Sequence, residues 1–571
     1  MAAIGLAFAV STATAADQPH AKLDRFLTEG LQHGASTFPV IVTPKAGYAE
    51  AICQSLESRG KLRARHRLIS SCSAELTREE LNALAASSLV DDLSSDTEVE
   101  ANQLAVTPTT ADLLRNTLGV NPATFTGQGV GVAIIDSGIG NMPDFDHKIR
   151  AFYVCKAVCK PAAPVDDFGH GTHVAGVIGS NGNQTKGLYA GVAPNVSFIG
   201  LKVLDKNGAG VTSDVITAIE FAVANKAQLG IDVINLSLGH MIGESAATDP
   251  LVRAVEAAVR AGIVVVVSAG NYGTNRDTGL VGYGGISSPG NAPSAITVGA
   301  SRGSATVSRG DDRVAPYSSR GPSWYDGFAK PDIVAPGDRI VSNISNATLF
   351  KTYPSFRFVA PPGSSGNFLR LSGTSMATSV VTGVVALAIE ASRSANPSRA
   401  ALAPNALKAV LQYSAIPLRD DQGAQYDALT QGAGGLNAAG AVALAAKLNT
   451  SAAPGAWWLT AGVNTSTTIG VENWLWARNI LWGDNILWGD SVFYNNVAWG
   501  QNIVWGENIV WGENIIWGEN LLWGDNIVWG ENLVWGENIV WGENVVWGEN
   551  IVWGENVDGN SIVGSPDSLA W

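Results

Sequence analysis

The sequence is short of cations, cysteines and long apolar runs, and each shortage closes off a class of protein. Its 571 residues carry 36 Lys and Arg against 50 Asp and Glu, a formal net charge of −14. Nucleic-acid binding needs clustered cations to neutralise phosphates, so no nucleic-acid partner is expected. No run of 18 or more apolar residues occurs, so no transmembrane helix is expected either. The cysteines are Cys53, Cys72, Cys155 and Cys159, which allow three pairings. The spacing Cys155-x-x-x-Cys159 suits a short-loop disulfide in an exported protein and suits reduced thiols equally well. No His pair stands near it at ligand spacing, which argues against zinc.

What is present suffices for a large core. Hydrophobic residues make up 46% of the chain, and its length corresponds to roughly three or four average domains. The charge is unevenly spread. From Val471 onward there are 14 acids and a single base, Arg478, whereas the first 470 residues sum to −1. Fifteen of the 18 tryptophans also lie beyond Val471. Two unlike parts are joined in one chain.

Residues 1–16 are apolar and end in Ala13-Thr14-Ala15, the shape of a signal-peptidase site, although the usual basic start is missing. This predicts a secreted or cell-envelope protein. Residues 17–103 combine the alternating run Phe38–Val42 with a charged helical pattern around Leu76–Ala86, which predicts a small α+β module. From 104 to 448, β-branched runs such as Val130–Ile135 and Ile263–Val267 alternate with helical patterns such as Asp214–Asn225 and Ser375–Ala391. That alternation predicts right-handed crossovers and an α/β fold with a doubly wound, mainly parallel sheet. Residues 449–470 are rich in Ser, Thr, Ala and Gly and read as a linker, and 471–571 hold a repeat array.

Four blocks of the 104–448 segment carry chemistry. In GQGVGVAIIDSGI a buried strand ends on Asp136, at the carboxyl end where α/β folds place functional groups; alone, it would suit a helix cap equally. In DDFGHGTHVAG, His170 and His173 flank Gly-Thr at the start of an apolar helical pattern. In VVVVSAGNYG, Asn271 follows another buried strand in a Gly-rich turn. In LSGTSMATSVVTG, Ser375 sits at the mouth of a helix, where free N–H groups and the positive dipole end favour a developing oxyanion.

Together, in the order Asp, His, Asn, Ser, these blocks resemble those of subtilisin-like serine proteases, the subtilases. The similarity spans roughly residues 120–445 and extends to YAGVAPNVSFIGLKVLD, VINLSLG, PYSSRGP, KPDIVAPG and QGAGGLNA. It implies Asp136, His170 and Ser375 as a catalytic triad, because a serine hydroxyl needs a base and a base near neutrality is an imidazole. It implies an oxyanion hole of Asn271 and the Ser375 N–H. Ser237, Leu238 and Gly239 would form one edge of a substrate cleft and Asn207, Gly208 and Gly210 the other, with a peptide added between them as a strand. The implied substrates are proteins or peptides, and the chemistry needs no cofactor. The implied propeptide, 17–103, folds the catalytic domain at 104–448 and then inhibits it. Its end, SSDTEVEANQ, would lie in the cleft, with self-cleavage near Asn102–Leu104.

Three further residues follow from the resemblance. Asp144, in MPDF, matches a calcium ligand of the family, but Met142 stands where His is commoner, so structural calcium is carried as an expectation only. His173 reads as structural. Ser379 replaces a customary Pro and, by restoring an N–H, is expected to loosen the first helical turn around Ser375.

Between Asn473 and Glu555 a six-residue unit, N-[IV]-V-W-G-[ED], recurs about fourteen times, and Trp recurs at every sixth residue from 499 to 553. An even period keeps each position on one face of a strand, and G-[ED]-N is a turn signal. A β-solenoid or stacked β-array is expected, in which like carboxylates stack and repel unless divalent cations or mild acid relieve them. Such an array is suited to surface association or self-assembly; the alternative is a low-complexity, aggregation-prone tail with no specific ligand. The leading expectation is an exported serine endopeptidase made as a self-processing proenzyme. The alternative is an envelope or adhesive scaffold whose array is the working part, with the protease used for processing.

Overall fold

The computed structural model describes residues 22–101, 114–120, 124–275, 278–304, 306–397, 401–452 and 458–480, and beyond 480 the backbone of short strands. The signal-like residues 1–16 and the cleavage region at Asn102–Leu104 lie outside the described residues. The chain up to Arg65 together with Ser70–Asp96 forms one compact unit, and His66–Ile69 with Thr97 onward forms another.

In the first unit a four-stranded sheet has the order β2 (Leu62–His66), β3 (Ser71–Thr77), β1 (Thr37–Pro44), β4 (Val90–Ser95). The helices are α1 (Arg25–Gln32), α2 (Ala49–Ser58) and α3 (Arg78–Ala85). Val40 and Val42, alternating along β1, share a core with Leu56, Leu81 and Leu93. α3 starts where Thr77 and Glu80 satisfy each other's backbone N–H groups, a reciprocal cap. A disulfide joins Cys53 on α2 to Cys72 on β3.

The second unit is built on a nine-stranded sheet. Its order is β16 (Arg313–Val314), β15 (Ile296–Arg302), β13 (Val264–Ser268), β11 (Val233–Leu236), β6 (Gly131–Asp136), β9 (Ser197–Lys202), β7 (Ile149–Cys155), β8 (Cys159–Pro161), with β17 (Ile333–Pro336) also on β15. All these pairings are parallel except β15–β16 and β7–β8. Every residue of β6, β11 and β13 is buried, which is why they read as unbroken apolar runs rather than alternating ones. The β7–β8 hairpin is closed by the Cys155–Cys159 disulfide, one of the two states the spacing allowed.

The longer helices of this unit are α4 (His170–Gly179), α5 (Thr212–Ala224), α6 (Pro250–Arg260), α7 (Thr374–Ala395), α8 (Pro404–Tyr413) and α9 (Ala438–Ala445). α7 packs against α4, α9 and strands β11, β13, β15 and β17. By length and hydropathy it could cross a membrane, but 94% of its most apolar window is buried in the protein core. A three-stranded sheet, β18 (Ile340–Asn343), β20 (Phe368–Leu371), β19 (Arg357–Phe358), lies beside α4. A four-stranded one has the order β10 (Ala209–Val211), β5 (Glu98–Ala101), β12 (Leu238–Met241), β14 (Ser287–Ser288).

The segment expected to be a linker is not one throughout. After Trp458 the chain makes a hairpin, β21 (Ser466–Ile469) and β22 (Glu472–Leu475), and Trp458, Ile469, Trp476 and Ile480 are all buried. Trp458 and Trp476 meet the Tyr413 ring edge-on at 5.7 and 6.3 Å. The Trp476 Nε1–H and the Asn437 amide both donate to Thr467 Oγ1, at 2.7 and 2.8 Å. The small, polar composition of 449–470 hid a few large anchors, so the core extends about thirty residues past the expected boundary.

Beyond it, short strands pair in parallel with a twelve-residue offset. Asn508–Trp511, Asn520–Trp523, Asn532–Trp535 and Asn544–Trp547 form one ladder. Ile503–Trp505, Ile515–Trp517, Asn526–Trp529, Asn538–Trp541 and Asn550–Val552 form a second. Successive hexads therefore alternate between ladders, and like positions stand in register.

Candidate active site

The parallel sheet brings the distant blocks together at its carboxyl edge. Asp136 is the last residue of β6, held between β9 and β11 and wholly buried. Its carboxylate faces the His170 ring, with Nδ1 2.8 Å from Oδ1 and 2.9 Å from Oδ2. A carboxylate accepts, so Nδ1 carries the proton and Nε2 is left as the acceptor. Nε2 is buried with no hydrogen-bond partner among the described residues.

His170 is the first residue of α4, and its placement depends on two glycines. Gly169 has φ 105°, a left-handed conformation that a side chain would strain. Gly171 approaches β6 so closely that a Cβ would lie 2.1 Å from the Gly138 carbonyl oxygen. The buried Asp166 carboxylate ties the same turn together. It accepts from Ser137 Oγ at 2.9 Å, Gly169 N at 2.7 Å, and Thr172 N and Oγ1 at 2.8 and 2.6 Å. Burial pushes its pKa up, while the Thr172 and Gly169 donors work in the opposite direction. His173 packs one turn along, its Nε2 donating to the Ile340 and Leu369 carbonyls at 3.2 Å. Burial drives its pKa down to about 3, so it stays neutral and structural.

Ser375 is the second residue of α7, buried beside the end of β11. Its Oγ donates to the Ser237 carbonyl at 3.0 Å. Asn271 follows β13, and its Oδ1 accepts from Thr374 N at 3.0 Å and Thr374 Oγ1 at 3.2 Å. Those contacts pin the amide by its oxygen, on the residue directly before Ser375. Thr374 went unread in the sequence, although a hydroxyl directly before the serine was visible in LSGTS. Asp166 was also missed: it lies four residues before His170, outside the cap position that Gly169 occupies, so no cap spacing marks it.

The two expected cleft edges hold a strand of the same chain. β5 runs antiparallel to β10, with Glu100 opposite Ala209 and Val99 opposite Gly210. It also runs antiparallel to β12, with Ala101 opposite Leu238 and Glu100 opposite Gly239. The Ala101 N–H reaches the Gly208 carbonyl at 3.3 Å. Of the expected edge residues, Leu238, Gly239, Gly208 and Gly210 thus meet the strand. Asn207 instead turns onto Asp205, and the Ser237 hydroxyl points to the Ser375 carbonyl. Val99 is fully buried between the edges.

Asp144 has the surroundings of a buried anion among donors. It accepts from Ser180 Oγ at 2.9 Å, Gln184 N at 2.7 Å and Asn343 Nδ2 at 2.7 Å. Calcium takes six to eight oxygen ligands. A carboxylate faced by three N–H and O–H donors does not fit that role, and among the described residues no group of three or more His, Cys, Asp or Glu could hold a metal.

The chain is similar to known proteins over much of its length. The sequence profile of the subtilase family matches residues 127–461. Serine protease AprX of Bacillus subtilis (strain 168) is 38% identical over 393 residues, which is 68% of this chain and 82% of that protein. Subtilisin E of the same organism is 38% identical over 264 residues, 46% of this chain and 56% of that protein. Among solved structures, fervidolysin from Fervidobacterium pennivorans, a keratinolytic enzyme related to subtilisin, superposes with a TM-score of 0.55 at 23% identity. That match covers 71% of this chain and 61% of the other, and it speaks for the fold alone.

Proposed function

The chain belongs to the subtilase family and is a serine endopeptidase, and on that premise we propose that Asp136, His170 and Ser375 perform the hydrolysis. His170 Nε2 takes the Ser375 proton as the hydroxyl attacks a peptide carbonyl, and later returns it to the leaving amine. Asp136 holds the Nδ1–H tautomer and stabilises the imidazolium. The Asn271 NH2 group and the Ser375 N–H receive the oxyanion, in a site shielded enough from water for their dipoles to count. The observation that carries the reading is the 2.8 Å contact between Asp136 and His170 Nδ1, with the buried Nε2 left without a hydrogen-bond partner among the described residues.

The same reading makes the enzyme a proenzyme. β5 is hydrogen-bonded on both sides like a bound peptide, and the chain just after it, at Asn102–Leu104, is the proposed point of self-cleavage. Free substrate would add in the same slot. Export is supported by the two disulfides, which persist in oxidising compartments. The twelve-residue offset of the C-terminal ladders supports a solenoid reading of the repeats.

Expression of the full chain and of Ser375→Ala tests both claims. The parent should hydrolyse an unfolded protein and show a new N-terminus within 102–105. Ser375→Ala should do neither and should accumulate with its N-terminal segment attached. Full proteolysis by Ser375→Ala would reject the assignment, and a processed Ser375→Ala would reject self-cleavage.

A further inference from the structure

We propose that Ser379 is a positioning residue for the nucleophile, acting through the Ser375 carbonyl; the inference rests on Ser375 being that nucleophile. Ser379 lies one helical turn beyond Ser375 on α7 and is fully buried. Its Oγ donates to the Ser375 carbonyl at 2.8 Å. The expectation that a serine here loosens the first turn is therefore corrected twice. α7 begins at Thr374, which puts 379 in the second turn, and the hydroxyl adds a bond where slack was expected.

That bond belongs to a buried circuit. Ser237 Oγ donates to the same Ser375 carbonyl at 3.2 Å, and Ser375 Oγ donates in return to the Ser237 carbonyl at 3.0 Å. Asn235 Nδ2 donates to Ser237 Oγ at 2.9 Å, and Thr382 Oγ1 donates to Asn235 Oδ1 at 2.9 Å. The circuit leaves α7 at Ser375, passes through Ser237 just beyond β11 to Asn235 on β11, and returns to α7 at Thr382. A serine back-bonded to the carbonyl four residues earlier does not stabilise a helix and slightly bends it. Helix stability therefore gives no reason for Ser379 to be there.

Catalysis does give one. Before attack, Ser375 Oγ has to leave the Ser237 carbonyl and turn to His170 Nε2. The turn is a rotation about Cα–Cβ between staggered rotamers, and it is productive only if the residue's backbone stays in place. A displacement of about 1 Å at a reacting group costs on the order of a hundredfold in rate. Once the hydroxyl has left, the reciprocal pair with Ser237 is half broken. Besides the helix's own ladder, the Ser375 carbonyl is then held by the 3.2 Å bond from the Ser237 hydroxyl and the 2.8 Å bond from the Ser379 hydroxyl, of which Ser379 supplies the firmer.

The test compares Ser379→Ala with Ser379→Thr, which restores the hydroxyl, in the processed enzyme. Rates are expressed per active serine, counted with a sulfonyl fluoride, so that loss of folded protein does not enter. Ser379→Ala should lower kcat about fivefold, the effect of one ordinary hydrogen bond, and leave KM within about twofold. Ser379→Thr should recover most of kcat, and the acid limb of the kcat/KM profile should stay in place because the His170 contacts are untouched. If the alanine variant fails to fold, Ser379→Cys, of similar size but a weak donor, takes its place against Ser379→Thr. An unchanged kcat in the variant lacking the hydroxyl, or equal kcat in the two variants, overturns the proposal. Ser375→Ala measured alongside separates the two readings: undiminished proteolysis there would reject the nucleophile itself.

Discussion

Lys330, Asp332 and Lys408 set two ammonium groups on one carboxylate in the interior, each 2.8 Å from a different carboxylate oxygen and none exposed. Burial pushes the Lys330 pKa down to about 7, with Asp332 opposing the shift and Lys408 adding to it. A lysine whose pKa is lower folded than unfolded binds fewer protons in the native state, here between pH 7 and its ordinary value near 10.5. Stability therefore rises with pH across that window, by at most about 1.4 kcal/mol per pH unit from this group. Thermal melts of the Ser375→Ala protein should shift upward between pH 7 and 10. Lys330→Met, which leaves Asp332 paired with Lys408 alone, should flatten that rise. Identical slopes in the two proteins would show that Lys330 carries its charge throughout. The candidate catalytic side chains were readable because each sits in a local block of unusual composition. This triad was not readable, because Lys408 comes from a helix far along the chain and only the fold brings it to Asp332.

At the scale of elements, the alternation of strands and helices was legible wherever strands are buried on both faces, since an unbroken apolar run marks them. Two elements left no periodic trace. The strand β5 has no apolar run, and its place between β10 and β12 was expected only from the family resemblance, because edge pairing leaves no periodic signal in so short a segment. The β21–β22 hairpin straddles the expected boundary at 470, half in a linker-like stretch and half in residues read as the start of the repeats, with its hold concentrated in Trp458, Ile469 and Trp476. This decides where the catalytic part can be cut. Ending the chain at residue 450 removes the partners of Tyr413, Asn437 and Ala415, and a buried Trp alone is worth about 3–5 kcal/mol. Differential scanning of two truncations should show the 1–450 protein melting about 10 °C or more below the 1–482 protein. Equal melting temperatures would restore the linker reading of 449–470.

At the scale of the whole molecule the charge separates from the chemistry. The first 470 residues sum to −1, and nearly all of the −14 belongs to the repeats. Surface charge in a distant segment acts over about a Debye length, roughly 8 Å at physiological salt, and does not reach a buried centre. Removing everything after residue 482 should therefore retard the protein far less on an anion exchanger while leaving kcat/KM on a short neutral peptide unchanged. A fall in kcat/KM for that substrate would mean that the repeats take part in the reaction.

The twelve-residue offset also bears on how far the enzyme could reach if its tail were anchored. In a solenoid with two hexads per coil, each coil would advance the chain by one strand spacing, about 4.8 Å, or roughly 0.4 Å per residue. Some eighty residues would then span about 30–35 Å, where an extended tether of that length would span roughly 270 Å. Such a tail would make a very short leash. It would confine cleavage to the immediate neighbours of the anchor, and gain or loss of a single hexad would adjust that radius by only about 2.4 Å.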